Sequence, residues 1–282
     1  MIIYDLSMVD NDTRQLILSS PKYSKWFSEY PKKLLGFENA KTIKGNKKNF
    51  RTAILYLLPS DYSGYNVCAM AILANCKKPC LNTSGRGAMG SVQLSRLRKT
   101  LYFFQYREKF LEHLKKEINV HTNYCKSRNL NAATRLNGTS DIRWELYLWE
   151  FMTKSYYQDK NQFYDYTKLT NRLIPDEDIY DLTFSFSGEL GFQKYVQLAV
   201  KSKMRIAIVW RYKHQIPGIV SLYGEVLNVD DGDENDLTFL SPKSSVRALY
   251  AKGKAINDYD SNFVVDDLNL TLQRLYQLKK VA

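Results

Sequence analysis

Short apolar runs that end in polar clusters and are followed by helical periodicity constrain this chain most. Residues 49–58 form an apolar run stopped by Pro59, the pattern of a buried strand. Runs at 131–136, 162–166, 180–186 and 205–210 read the same way. The polar stretches Asn137-Gly138-Thr139-Ser140-Asp141, Thr167-Lys168 and Ser187-Gly188 directly follow the first three of these. Residues 219–229 and 236–240 are predicted as strands flanking Asp230-Asp231-Gly232-Asp233-Glu234, and 246–250 as one more, before Lys252-Gly253-Lys254. A long helix is predicted from Ser91, because Leu94, Leu97, Leu101, Phe104, Leu111, Leu114 and Ile118 recur mostly at three or four. Further helices are predicted at 144–155, capped by Ser140 or Asp141, at 189–200 and at 267–280.

Strands alternating with helices predict a parallel sheet of the α/β class. The strands are continuously apolar, which predicts cover on both faces. A strand count near six predicts a partial (β/α) barrel of about six mainly parallel strands. Residues 46–282 would form this single domain, and residues 1–45 an N-terminal extension packed on it. In such folds ligands bind at the carboxyl ends of the strands. The polar clusters are therefore expected to share one face.

Charge is unevenly spread. The formal net charge is +12, and residues 70–130 hold 12 Lys and Arg against 3 acids. With 21 tyrosines, this suits DNA or RNA, where cations meet phosphate and rings stack on bases. Arg96, Arg98, Lys99, Lys115 and Lys116 would form the nucleic-acid face of the long helix, or an ordinary solvated face. At 44% hydrophobic residues the chain is too apolar to be disordered. No stretch approaches the roughly 20 apolar residues of a membrane span, and no signal pattern opens the chain. A cytoplasmic protein with no membrane partner is expected.

Three of the four cysteines, Cys68, Cys76 and Cys80, fall within 13 residues. Clustered thiols in a cytosolic chain suggest metal binding or redox chemistry more than disulfides. Their Cys-x7-Cys-x3-Cys spacing is not that of a zinc ribbon. Three thiolates with one open position suit an iron–sulfur cluster, or zinc with an outside ligand. The plain alternative is three buried small side chains, with no cofactor. Thr83, Ser84, Gly85, Arg86 and Gly87 precede the long helix, where glycine-rich backbone and a helix N-terminus suit the anion of a phosphate-bearing small molecule. Arg135, Asn137 and Asp141 sit at one strand end and Asp165 and Lys168 at another, as candidate catalytic residues; turns, caps and salt bridges are their structural alternatives. The acidic stretch at 230–234 suits a hard cation or, as Asp-Gly suggests, a solvated hairpin turn. His113, His121 and His214 show no metal-ligand spacing.

The runs Cys76-Lys77-Lys78-Pro79-Cys80-Leu81-Asn82-Thr83-Ser84-Gly85-Arg86-Gly87, Arg135 to Asp141, Tyr164-Asp165-Tyr166-Thr167-Lys168 and Ala251-Lys252-Gly253-Lys254-Ala255 together resemble the phage gene product 88 family. The resemblance spans about residues 50 to 265. It implies a phage or prophage protein working in bacterial cytoplasm, and no particular activity. Strand, cysteine loop and helix, in that order, also resemble radical S-adenosylmethionine enzymes. Cys76-x3-Cys80 matches the first half of their cysteine motif, but Thr83 stands where the third cysteine falls. That likeness implies an iron–sulfur cluster and S-adenosylmethionine, with Asn137, Gly138 and Thr139 facing the cofactor.

The leading expectation is an α/β barrel-like protein with a ligand, metal or iron–sulfur site at the strand ends, radical-SAM-like or degenerate. The alternatives are a basic nucleic-acid-binding accessory protein of phage DNA metabolism and a non-catalytic host-takeover protein.

Overall fold

A computed structural model describes residues 4–37, 40–268 and 271–272. Two short helices, α1 (Asn11–Ser19) and α2 (Pro21–Phe27), open the chain. They are followed by β1 (Leu35–Gly36), α3 (Ala40–Asn46) and β2 (Phe50–Leu55). Next come α4 (Gly90–Gln105), α5 (Arg107–Ser127), β3 (Asn131–Arg135), α6 (Glu145–Asp159), β4 (Asn161–Thr167) and β5 (Tyr180–Ser185). The chain continues with α7 (Gln193–Lys201), β6 (Arg205–Trp210), β7 (Ile219–Leu222), β8 (Glu225–Asp231), β9 (Val246–Tyr250) and β10 (Val264–Val265).

The strands form one ten-stranded sheet ordered β1-β2-β3-β4-β5-β6-β9-β8-β7, with β10 also paired to β6. From β2 to β8 every neighbouring pair is parallel; only β1·β2 and the β7–β8 hairpin are antiparallel. The α/β class and its mainly parallel sheet are as expected. The expected six-stranded partial barrel is not confirmed: ten strands form, and their order runs from β1 on one side to β7 on the other, an open sheet. β5 leaves β6 after Ser185↔Ala207, and β10 takes its place at Val264↔Val209.

One sheet face carries the apolar core. Ala53, Leu55, Phe163 and Leu182 pack with Leu101, Phe110, Leu114, Trp144 and Met152. Phe184, Ile206, Ile208 and Val246 pack with Val196 and Ala199 of α7. Tyr4, Val9, Ile17, Phe27 and Leu34 join the first cluster, so the N-terminal segment lies on the same core. The alternate strand residues face the other side, where Ala133 and Tyr164 meet Leu237 and Phe239. That second face is also rich in charge: Arg135, Arg205 and Arg247 are all buried on it.

Several local expectations are corrected. The long helix is two, broken at Tyr106, which leaves helical geometry at ψ 50. Residues 236–240 are not a strand but a coil with one 3-10 turn, Thr238–Leu240. The hairpin turn sits at Tyr223-Gly224, both with positive φ, and not at the acidic stretch. α6 has no side-chain cap, because Ser140 and Asp141 are bonded elsewhere. α1, α2, α3 and β1 were not anticipated. The helix expected at 267–280 lies largely outside the described residues.

Candidate ligand site at the strand ends

The polar clusters that follow the strands come together. The loop after β3 is built around Asn137. Its Oδ1 accepts from Ser140 Oγ (2.9 Å), the Ile142 N–H (2.9 Å) and Trp144 Nε1 (3.0 Å), while Nδ2 donates to the Ile142 carbonyl (2.9 Å). The amide oxygen takes three donors, and one of the two amide N–H groups is used within the loop. Asn137 therefore organises this loop. Gly138 is required by close approach: a Cβ there would lie 2.6 Å from the Tyr56 ring and 2.7 Å from the Leu55 carbonyl. Thr139 donates to the Leu57 carbonyl at 2.5 Å.

This loop is cross-linked to the end of β4. Asp165 Oδ1 accepts the Asn137 N–H at 2.8 Å, and its Oδ2 accepts Tyr180 Oη at 2.7 Å. Burial raises the Asp165 carboxyl to about 7, against the opposing pull of Arg135. Asp141 accepts from Thr167 Oγ1 and the Lys168 N–H, both at 2.8 Å, and burial raises its pKa as well. Arg172 Nη1 lies 3.6 Å from Asp141, and its Nε donates to Glu145 at 3.0 Å.

Lys168 stands at the centre. Its ammonium donates to Ser185 Oγ (2.9 Å) and the Ser185 carbonyl (3.2 Å). It lies over the rings of Phe263 (4.5 Å) and Phe192 (5.5 Å). Burial lowers its pKa, and the nearby Cys76, Asp141, Cys68 and Cys80 oppose that shift. Burial in turn pushes the Cys68 thiol up to about 12 and Cys80 to about 11. Cys76 is raised by burial too, with Lys168 pulling it down. All three cysteines are free and only partly buried. Cys68 packs on the first apolar cluster and Cys76 on the second, so the loop bridges the two. Among the described residues, no three His, Cys, Asp or Glu side chains are grouped so as to hold a metal ion.

The remaining motif joins from the far side. Gly253, at φ +60, lies so close to the cysteine loop that a Cβ would come within 2.8 Å of the Thr83 carbonyl and 2.9 Å of Ser84 Cα. The Lys254 N–H donates to Thr83 Oγ1 at 3.2 Å. The glycine loop itself is a 3-10 turn, Gly85–Ala88. Its Gly87 N–H is spent on the Ser84 carbonyl (3.0 Å), and Arg86 is exposed. The backbone cradle expected for an anion at the start of α4 is thus partly closed by its own turn.

The nucleic-acid face is corrected. Arg96 and Arg98 are only 8% and 7% exposed. Arg96 bonds Asn82 in the cysteine loop, Arg98 donates to the Tyr30 carbonyl at 2.7 Å, and Lys99 donates to the Leu34 carbonyl at 2.6 Å. These cations anchor neighbouring segments because α4 packs between them. Lys116 remains exposed and Lys115 partly so, its ammonium 6.0 Å from the Phe151 ring. The acidic stretch is a turn that is only half solvated: Asp231 and Glu234 are exposed, while the other two acids are held by cations. Asp233 is 5% exposed and paired with Lys252, and Asp230 pairs with Arg247 at 3.0 Å.

What sequence reasoning missed is the inner face beneath this site. Arg135 Nη1 donates to both oxygens of Asp236 (2.9 and 3.1 Å), and Tyr164 Oη donates to the same carboxylate at 3.2 Å. Asp236 lies 101 residues from Arg135, and the only local signal was an acidic residue in a segment taken for strand. A separate cavity of about 170 Å³, lined by Leu169, Arg172, Tyr180, Met204 and Lys243, contains none of the cysteines.

Among the described residues no helix is long and apolar enough to cross a membrane. No curated protein and no solved structure matches the chain, and nothing found supports the likeness to radical S-adenosylmethionine enzymes. The family model described as gene product 88 matches residues 33–267, and so the chain belongs to the gene product 88 family.

Proposed function

We propose that the protein binds a small ligand where the carboxyl ends of β3 to β6 meet the cysteine loop, and that Cys68, Cys76 and Cys80, which are not gathered into a ligand set in the metal-free chain, close on an iron–sulfur cluster or other soft metal when one binds at its rim. One observation carries this reading: the three thiols, drawn from 13 residues of loop, lie near enough to the Lys168 ammonium, with Asp141, to act on its charge. Packing alone asks for no such group of ionisable side chains. In an α/β sheet this end is also where ligands bind.

The high thiol pKa values mean that the cysteines are protonated when nothing is bound. A soft cation removes those protons on binding, because coordination stabilises thiolate far more than burial disfavours it. Three thiolates are a donor set that selects iron–sulfur clusters or zinc over hard cations. Lys168 would then balance part of the thiolate charge.

The test is purification without exposure to air, followed by iron, zinc and acid-labile sulfide analysis with a visible spectrum. About four irons and four sulfides per chain support a cluster. One zinc, lost on Cys76→Ser, supports a single-metal site. Protein free of metal in every preparation sinks the metal part and leaves the thiols as packing groups.

A further inference from the structure

The inner face of the sheet holds buried hydrogen-bond donors with nothing to donate to. Tyr166 Oη, Arg247 Nε and Arg135 Nε are all buried and unpartnered. Arg247 is only 2% exposed. Its Nη1 bonds Asp230 (3.0 Å) and Ser241, and its Nη2 donates to the Asn235 carbonyl (3.0 Å), which leaves Nε. Arg135 commits Nη1 to Asp236, and its Nε stands 3.8 Å from Asp165, beyond hydrogen-bond reach.

These donors belong to one place. The Arg135 guanidinium lies over the Tyr166 ring at 4.7 Å. Both Arg135 and Arg247 act electrostatically on the Tyr166 phenol, as do Asp236 and Asp233. The charges pair one for one, Asp236 with Arg135, Asp233 with Lys252 and Asp230 with Arg247, so what remains unmet is hydrogen-bond donors. Three unmet donors, two of them on cations, stand against one unmet acceptor, Asp230 Oδ1. Buried donors are rarely left unmet, since each one forfeits its hydration.

We infer that this cluster receives an oxyanion of the ligand, a carboxylate or a phosphate, with Tyr166 and the two arginines as its donors. The inference rests on the ligand-binding reading above and names the chemical class of that ligand. A carboxylate or phosphate supplies only acceptors, so it meets a surplus of donors without leaving an orphan of its own. Tyr166 lies two residues before Lys168 on the same strand end, so the oxyanion would sit at the end of β4, on the inner face of the sheet.

Tyr166→Phe is the informative variant. The hydroxyl it removes has no protein partner, so the folded chain loses no hydrogen bond. Inorganic phosphate and sodium acetate are titrated separately into the full chain by calorimetry, at constant ionic strength set with chloride. The wild type is expected to bind one of the two, with Tyr166→Phe weakening that binding about tenfold or more at an unchanged melting temperature. Preference for phosphate points to a phosphorylated ligand and preference for acetate to a carboxylate, and either supports the inference. Equal binding by wild type and Tyr166→Phe, or no heat beyond the chloride control, overturns it. Cys76→Ser separates the two readings: it removes any bound metal and leaves oxyanion binding intact.

Discussion

The Asp141 carboxylate accepts the Lys168 backbone N–H at 2.8 Å, while Asp165, three residues before Lys168, accepts the Asn137 N–H at the same distance. The two bonds run in opposite directions between the loop after β3 and the end of β4. Each segment thus supplies an acid that caps the other's backbone. Carboxylate-to-amide bonds of this kind are stronger than neutral ones, so the ends of β3 and β4 are held in fixed register and Lys168 is presented at one position.

Breaking the Arg135–Asp236 pair is expected to be costly. Both side chains are at most 10% exposed, and Asp236→Leu leaves Arg135 buried without its main counter-ion. A loss of about 3 kcal/mol is expected for either single truncation. The double variant Arg135→Met with Asp236→Leu should lose clearly less than the sum. Urea midpoints of the four proteins check this; strict additivity would mean that the pair does not interact.

Acid should destabilise the protein through His121. Its ring is 1% exposed, and Arg51 Nη1 stands 3.0 Å from Nδ1. Burial, with the Arg51 charge, lowers its pKa to about 4, against about 6.5 in an unfolded chain. The folded state therefore binds fewer protons between those values. The stabilisation is fully present above pH 6.5 and is lost as pH falls towards 4, by up to about 3 kcal/mol. In His121→Gln the drop in denaturation midpoint from pH 7 to pH 4.5 should shrink accordingly.

Gly253→Ala tests the contact that closes the site. The residue combines φ +60 with a would-be Cβ only 2.8 Å from the Thr83 carbonyl. Strain and clash together should cost about 1–3 kcal/mol. Hydrogen exchange at residues 80–88 should quicken, because the cysteine loop loses its support. Unchanged exchange there would show that the loop stands alone.

Lys99 anchors the N-terminal segment. It donates to the Leu34 carbonyl at 2.6 Å, and burial lowers its pKa to about 8. Glu117 holds the adjoining N–H groups of Leu34 and Leu35 at 2.7 and 2.9 Å. Lys99→Met should expose residues 28–37 to limited proteolysis. Lys116→Ala, on an exposed side chain, should leave the digestion pattern as it was.

Much of the strand framework was readable from local sequence. Residues 131–136, 180–186 and 205–210 are apolar, bounded by polar stretches, and form strands within a residue of the expected limits. The break at Tyr106 was not readable, because apolar spacing continues across it from Leu101 to Leu111 and Leu114. The fate of 236–240 was hidden for a related reason: Leu237 is buried and Phe239 partly so, alternating as strand residues would, yet they cover the sheet instead of joining it.

Sequence alone determined the central strands, that they would be mainly parallel, and that the polar clusters would gather at one end. Those properties follow from apolar patterning and turn residues, which act over a few positions. Only the tertiary structure decided which charges are buried and with whom. Arg96, Arg98 and Lys99 look like a solvated basic face until α4 is packed against its neighbours. Arg135 meets Asp236 across 101 residues, and Lys168 comes under the electrostatic influence of three thiols some 90 to 100 residues earlier. A charge becomes structural or functional through its partner and its distance from water, and neither is written in local sequence.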